Sequence, residues 1–187
     1  MHYDIDRSVG HNYATGMRNA RDRILDGSVR LAMDAGLDAW SIQRVADLAD
    51  CAKALVIHHF ETRPALLAAT GLAVADRRME RRLAALQAGG TVALDRLWSV
   101  ITDDVRTGLT RAAFGLASHR YPTRRPEDPT RIHAAVAAAL GIPDDSLADP
   151  LALAAMLDGL EFQLLLGEPP ALIRVAFDRL WVTMVEG

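Results

Sequence analysis

Lys53, His58 and His59 stand close together within one stretch, Ser41 to Phe60 (SIQRVADLADCAKALVIHHF), with Arg44 inside it and Arg63 just beyond. Lys53 and His58, with Arg44 and Arg63 on the flanking segments, are suited to donating hydrogen bonds to phosphate oxygens, whereas His59 lies nearer the core. Metal binding by the histidine pair is disfavoured, because neighbours on a helix diverge by about 100° and cannot grip one ion together. Asp103-Asp104, His119 and His133 could be assembled into a metal site, but nothing in their spacing demands one. No Gly-x-Ser-x-Gly, His-Glu-x-x-His, phosphate-binding loop or dinucleotide fingerprint occurs. The expectation is therefore a protein that is not an enzyme and has no cofactor or metal. Arg77, Arg78, Arg81 and Arg82 around Glu80 read as a solvated helix face.

The elements that must position these groups are helical. From Arg21 to Ala35, Ile24, Leu25, Ser28, Leu31, Ala32 and Ala35 share one face, and Gly36 supplies a stop. Ser41 is a good N-cap for a second helix closing on Ala49, with Trp40 spaced to pack on Val45 as a hydrophobic staple. Ile42, Val45, Ala46 and Ala49 form its inner face. The third helix opens near Ala52. With Val56 at the centre of its buried face, Cys51 and Phe60 also point inward, Ala54 and His58 point away, and Leu55 and Ile57 lie on the flanks. Thr62, Arg63 and Pro64 then read as N-cap and first turn of a helix running at least to Ala75. Residues Met1 to Gly16 are polar and lack a sustained period, which predicts a mobile arm; Arg18 and Arg21 follow it.

The rest of the chain is apolar and helical. A helix is predicted from Val92 to about Thr110, a short apolar segment from Ala112 to Ala117, and a proline-punctuated loop from His119 to Pro129. Thr130 to Leu140 reads as an Ala-rich helix closed by Gly141. Two long helices finish the chain, about 149–166 and 171–185, joined by Gly167-Glu168-Pro169-Pro170. Both are apolar on more than one face, which points to a partner subunit.

Composition fits an all-α protein: 50% of the 187 residues are hydrophobic, only 5% are aromatic, and the net charge of −3 excludes a wholesale electrostatic nucleic-acid binder. A single cysteine, Cys51, excludes an internal disulfide. No apolar leader and no run long enough to span a membrane is found, so the expected location is the cytoplasm.

Over about Arg23 to Leu67 the chain resembles the TetR (tetracycline-repressor-like) family of bacterial transcription regulators. The likeness rests on Ile24-Leu25, Leu31, Gly36, Ser41-Ile42, Val45-Ala46, Ala49, Lys53, His58-His59-Phe60 and Ala65-Leu66-Leu67. It implies an N-terminal three-helix helix-turn-helix DNA-binding domain (1–67) and a C-terminal helical ligand-binding and dimerisation domain (68–187). It further implies a homodimer through the last two helices, a palindromic double-stranded DNA operator and a small-molecule effector that releases it. On those terms the protein is a ligand-responsive regulator, a repressor.

Three departures from the family pattern bear on DNA contact. Asp50-Cys51-Ala52 stands where Gly-Val-Ser is common, which removes a helix N-cap worth about 1 kcal/mol. Leu55 and Ile57 replace the Thr and Tyr that bond to the DNA backbone. The first 63 residues hold eight basic against nine acidic side chains. The expected DNA-contacting set is Arg44, Lys53, Ala54, Leu55, Ile57, His58 and Arg63, with Leu55 or Ile57 able to meet thymine methyls. For the effector, Trp98, Ile101, Phe114, Met156 and Phe162 lie on helices that surround the ligand in this family, and suit a largely apolar molecule. The alternative is a helical ligand-binding or protein-interaction module that keeps the fold without operator binding.

Overall fold

A computed structural model of the chain describes residues 7–143, 145, 147 and 149–186, with side chains from Ala20 to Val182. All regular elements among the described residues are helices: α1 (Arg7–Ala35), α2 (Ile42–Leu48), α3 (Lys53–Phe60), α4 (Arg63–Leu86), α5 (Gly90–Arg106), α6 (Leu109–Ser118), α7 (Asp128–Leu140), α8 (Pro150–Leu165) and α9 (Pro170–Glu186). The chain divides into two compact units, residues 1–70 and 71–187, with α4 contributing to both.

In the first unit α1 packs on α2 and α3. The first helix begins at Arg7 rather than Arg21; the rest of the expected arm, residues 1–6, and the Arg18 side chain lie outside the described residues. Gly36 takes φ +70, a left-handed conformation open to glycine without strain, and so stops α1. Ile24, Leu31, Ala32, Trp40, Val45, Ala46, Ala49, Val56 and Phe60 are buried together with Leu66 and Leu67 of α4. One polar thread runs through this core. The Trp40 indole N–H donates to Ser28 Oγ at 3.1 Å, Ser28 Oγ lies 2.6 Å from Thr70 Oγ1, and Thr70 Oγ1 donates to the Leu66 carbonyl at 2.7 Å. Since the Thr70 proton is committed to that carbonyl, Ser28 must donate to Thr70, and all three buried groups are satisfied in one direction.

In the second unit α5, α7 and α8 pack mutually, with α6 against α5 and α8, and α9 against α5 and α8. Leu97, Ile101, Ile132, Val136, Leu153, Leu157, Phe177 and Trp181 centre its core. The helix expected from Val92 to about Thr110 is instead two, because Gly108 adopts φ +85 and breaks the period between α5 and α6. The segment expected over Ala112 to Ala117 is the body of α6. Asp149 caps α8 by accepting from Leu151 and Ala152 amides at 2.9 and 3.3 Å.

The arginine run overturns its sequence reading. Arg78 and Arg82 are not on a solvated face: they are 8% and 6% exposed, and both donate to the fully buried carboxylate of Glu161 on α8. Sequence could have flagged this, because Glu161 falls on the apolar stripe Leu153, Leu157, Leu164, where a bare carboxylate would be costly without a buried partner. Arg81 remains half exposed and pairs with Asp103 at 2.5 Å and Asp104 at 2.7 Å.

Candidate nucleic-acid interface and effector cleft

The helix-turn-helix is built from local rules. Ser41 is extended (φ −146, ψ 154) and its hydroxyl accepts from the Arg44 amide at 3.3 Å, so α2 starts where the sequence placed its cap. After Ala49 the backbone turns through Asp50 in the left-handed region (φ 49), and the Cys51 amide closes the turn on the Ala46 carbonyl at 3.0 Å. Ala52 then opens α3 from an extended conformation with no side-chain cap, as expected from its missing hydroxyl. Val56 and Phe60 anchor α3 in the core at 1% and 6% exposure. Lys53, Ala54, Ile57 and His58 are exposed on the same helix, whereas Leu55 is half buried. Thr62 caps α4, accepting from the Ala65 amide at 3.2 Å.

The arginines near α3 are held in place. Arg44 donates to the Ala39 carbonyl at 2.7 Å, and the Arg63 guanidinium lies over the Trp40 ring, 5.3 Å from its centre. Arg21, which the sequence left open, stacks over Phe60 at 4.9 Å. Each contact restrains a cation that would otherwise lose rotamer freedom on meeting a phosphate. His59 is half buried; burial first, then the positive fields of His58 and Arg21, push its imidazole below the usual value toward the neutral form. His58 faces solvent. The rings of the two histidines meet edge to face at 5.4 Å, and no group of three or more metal-binding side chains occurs among the described residues.

In the second unit a cleft of ≈ 360 Å³ is lined by Arg78, Ala113, Phe114, Ala117, Thr123, Arg124 and Asp158. Phe114 forms its aromatic wall, with the Phe162 ring 5.3 Å away. The other candidate residues lie elsewhere. Ile101 is fully buried in the core, Trp98 packs on Phe177 at 5.3 Å under Arg174, and Met156 is 44% exposed. Sequence reading missed the polar side of the cleft. Asp158 is clamped between Arg78, at 3.3 Å, and Arg124. Burial alone would lower the Arg78 pKa, but Glu161 and Asp158 hold it above its ordinary value.

The loop that carries Thr123 and Arg124 is fixed to α4. Gly71 is the only residue type that fits there, because a Cβ would fall 2.1 Å from the Pro122 carbonyl oxygen. Arg125 adds a two-pronged pair with Asp76, at 2.5 and 2.7 Å, and these hydrogen bonds hold the Asp76 carboxyl below the usual range. Asp104, on α5, is fully buried; Arg81 lies 2.7 Å away, but neither carboxylate oxygen receives a well-aligned hydrogen bond. Burial pushes its pKa up to about 6.

Residues 24–70 match the profile of bacterial regulatory proteins, tetR family, so the resemblance read over Arg23 to Leu67 holds. The chain is similar to the solved structure of the multidrug binding protein EbrR complexed with imidazole, at 28% identity, covering 86% of this chain and 88% of that one, TM-score 0.60. The same protein complexed with malachite green matches at 26% identity, covering 86% and 95%, TM-score 0.57. A TetR-family member from Streptomyces coelicolor A3, SCO1917, matches at 27% identity, covering 86% and 97%, TM-score 0.58. No curated protein matches the chain significantly. No helix among the described residues is long and apolar enough to cross a membrane.

Proposed function

We propose, from the tetR-family helix-turn-helix domain at its N-terminus, that this chain is a cytoplasmic, ligand-responsive repressor. On this reading it is a DNA-binding transcription regulator released from a palindromic operator by a small molecule. The observation that carries the reading is α3, fixed from behind by Val56 and Phe60 while Lys53, Ala54, Ile57 and His58 face outward. A helix presented in this way can lie in a major groove. Lys53, His58, Arg44 and Arg63 then meet phosphates and set the register. Ala54, Ile57 and the edge of Leu55 offer apolar contact to thymine methyls, which supplies sequence preference without hydrogen bonds.

The effector site is the cleft walled by Ala113, Phe114 and Ala117, whose apolar side suits the body of a small aromatic molecule. Of the other candidates, Phe162 backs the Phe114 ring, while Trp98, Ile101 and Met156 stand away from that lining. The chain works as a homodimer through α8 and α9, which in the single chain leave Leu151, Phe162, Leu166, Leu172, Val175 and Val182 between 42% and 64% exposed. Effector binding favours one arrangement of the dimer over the DNA-bound one, a population shift set by the difference in affinity.

A selection from randomised operators followed by gel-shift titration tests the reading. A bound sequence should emerge. Lys53→Ala should weaken binding across all sequences and lower the salt dependence by about one counterion. A second reading, a module without operator binding, is favoured by the uncapped start of α3 and its apolar outer face; recovery of no sequence above background would select it.

A further inference from the structure

We propose that the second-unit cleft takes a ligand with an aromatic body and a carboxylate head, and that Arg124, together with Arg78, receives the head. This rests on the reading of that unit as the effector-binding one. Among the described residues Asp158 is the only carboxylate lining the cleft, and it is already engaged by both Arg78 and Arg124. Two further carboxylates lie close by: Asp128, which lines the adjoining hollow, accepts from the Arg125 amide at 2.8 Å and pairs with Arg131 at 3.3 Å, and Glu161 is fully buried and held by Arg78 and Arg82. The negative groups are therefore saturated.

The positive ones are not. Arg78 and Arg82 each keep a buried Nε–H with no acceptor. These two nitrogens are closed off from solvent, so the donors open to a ligand are at the guanidinium ends; the Arg78 and Arg82 side chains border a small hollow of ≈ 30 Å³ that shares Arg78, Thr123, Arg124 and Asp158 with the cleft. A site needs about 10–15 Å³ to hold one water-sized atom, so the hollow has room for about two, as in the oxygens of a carboxylate. Arg124 keeps 38% of its side chain exposed at the mouth, with donors to spare beyond its one bond to Asp158. Phe114 supplies a ring face on the apolar side. The cleft itself, at ≈ 360 Å³, sits at the small end of the range for ligand sites, which suits one or two fused rings. The lining carries two positive charges against one negative, so a cationic dye finds no free counter-charge here.

The test uses the full chain without DNA and three probes: 1-naphthoate, its neutral amide of matched size, and the larger cation ethidium. Binding is followed by calorimetry and by the shift in melting temperature. Naphthoate should bind at least about tenfold more tightly than the amide, as expected for a charge-assisted contact against a neutral one. Arg124→Gln, at a partly exposed position, should remove that preference while leaving the melting temperature of the free protein near that of the parent. Asp158→Asn, which removes the internal competitor for both arginines, should tighten naphthoate. Equal binding of acid and amide, preference for ethidium, or no binding of any probe would each overturn the proposal, as would weaker naphthoate binding in Asp158→Asn. Operator release is scored separately. Naphthoate binding without release would leave this proposal standing and sink the repressor reading, whereas release by ethidium alone would do the reverse.

Discussion

Replacing Glu161 by Gln keeps its shape and removes one buried charge. The carboxylate has no exposed surface, and the Arg78 and Arg82 side chains that flank it retain only 10% and 7%. Both guanidinium groups would stay charged, since arginine cannot be deprotonated in a protein. Breaking a buried pair by removing one partner costs about 3–5 kcal/mol, mostly because the charge left behind is uncompensated. Asp158 remains 3.3 Å from Arg78 and 4.0 Å from Arg82, which relieves part of that cost and places the expectation near the lower bound, about 3 kcal/mol. For a chain of this size that corresponds to a melting temperature lower by about 6–12 °C. Thermal and urea unfolding followed by circular dichroism would read it. A triple variant, Glu161→Leu with Arg78→Met and Arg82→Leu, should recover most of the loss, because apolar packing can replace a buried ion cluster at little or no cost. A single variant within about 1 kcal/mol of the parent would refute the reasoning, and so would a triple variant no more stable than the single one.

Asp104 titrates in the folded protein at about 6, against an ordinary value of 3.8. Its raised pKa means that the folded state binds the proton more tightly, so stability falls as pH rises from about 4 to 6. Asp104→Asn should flatten this decline and stabilise the protein at neutral pH, as urea midpoints measured across that window would show. Asp50→Gly should stabilise the first unit by about 1 kcal/mol, by relieving a left-handed L-residue, and should strengthen operator binding by removing a charge near phosphate. Equilibrium unfolding and gel shifts report the two effects. Gly71→Ala should destabilise the second unit by about 1–3 kcal/mol, since its Cβ would collide with the Pro122 carbonyl oxygen and overpacking costs that much; melting curves and proteolysis of the loop after α6 would detect it.

The first unit was legible because its decisions are local. Gly36, Ser41 and Thr62 each end or start a helix through a bond made within a few residues, and the structure places all three as their types predict. The spacing around Val56 likewise sorted α3 into an inner and an outer side, with Leu55 drawn further inward than Ile57. The second unit was less legible because its decisions are made across the chain. Arg78 and Arg82 look like surface cations until a carboxylate 83 and 79 residues away, respectively, is brought against them. Nothing local marks Arg124 as a cleft residue either, since its place depends on Gly71 admitting the Pro122 carbonyl. The helix break at Gly108 was masked by apolar residues that continue the period on both sides.

The hydroxyl thread from Trp40 through Ser28 and Thr70 to the Leu66 carbonyl gives the first unit a means of proofreading its own assembly. Apolar side chains tolerate many nearly equivalent packings, and a helix pair shifted by one turn still buries oil against oil. The thread does not tolerate it. Sliding α4 along α1 would strand the indole N–H and two hydroxyls in a dry interior, at about 1–3 kcal/mol for each group left unpaired. Near-native competitors are thereby raised in energy by a device that adds little to the native state itself. A Ser28→Ala, Thr70→Val pair would keep the volume and discard the check. Its expected signature is a broader, less cooperative melt, lowered as well because the Trp40 indole N–H is left without its acceptor, at about 1–3 kcal/mol.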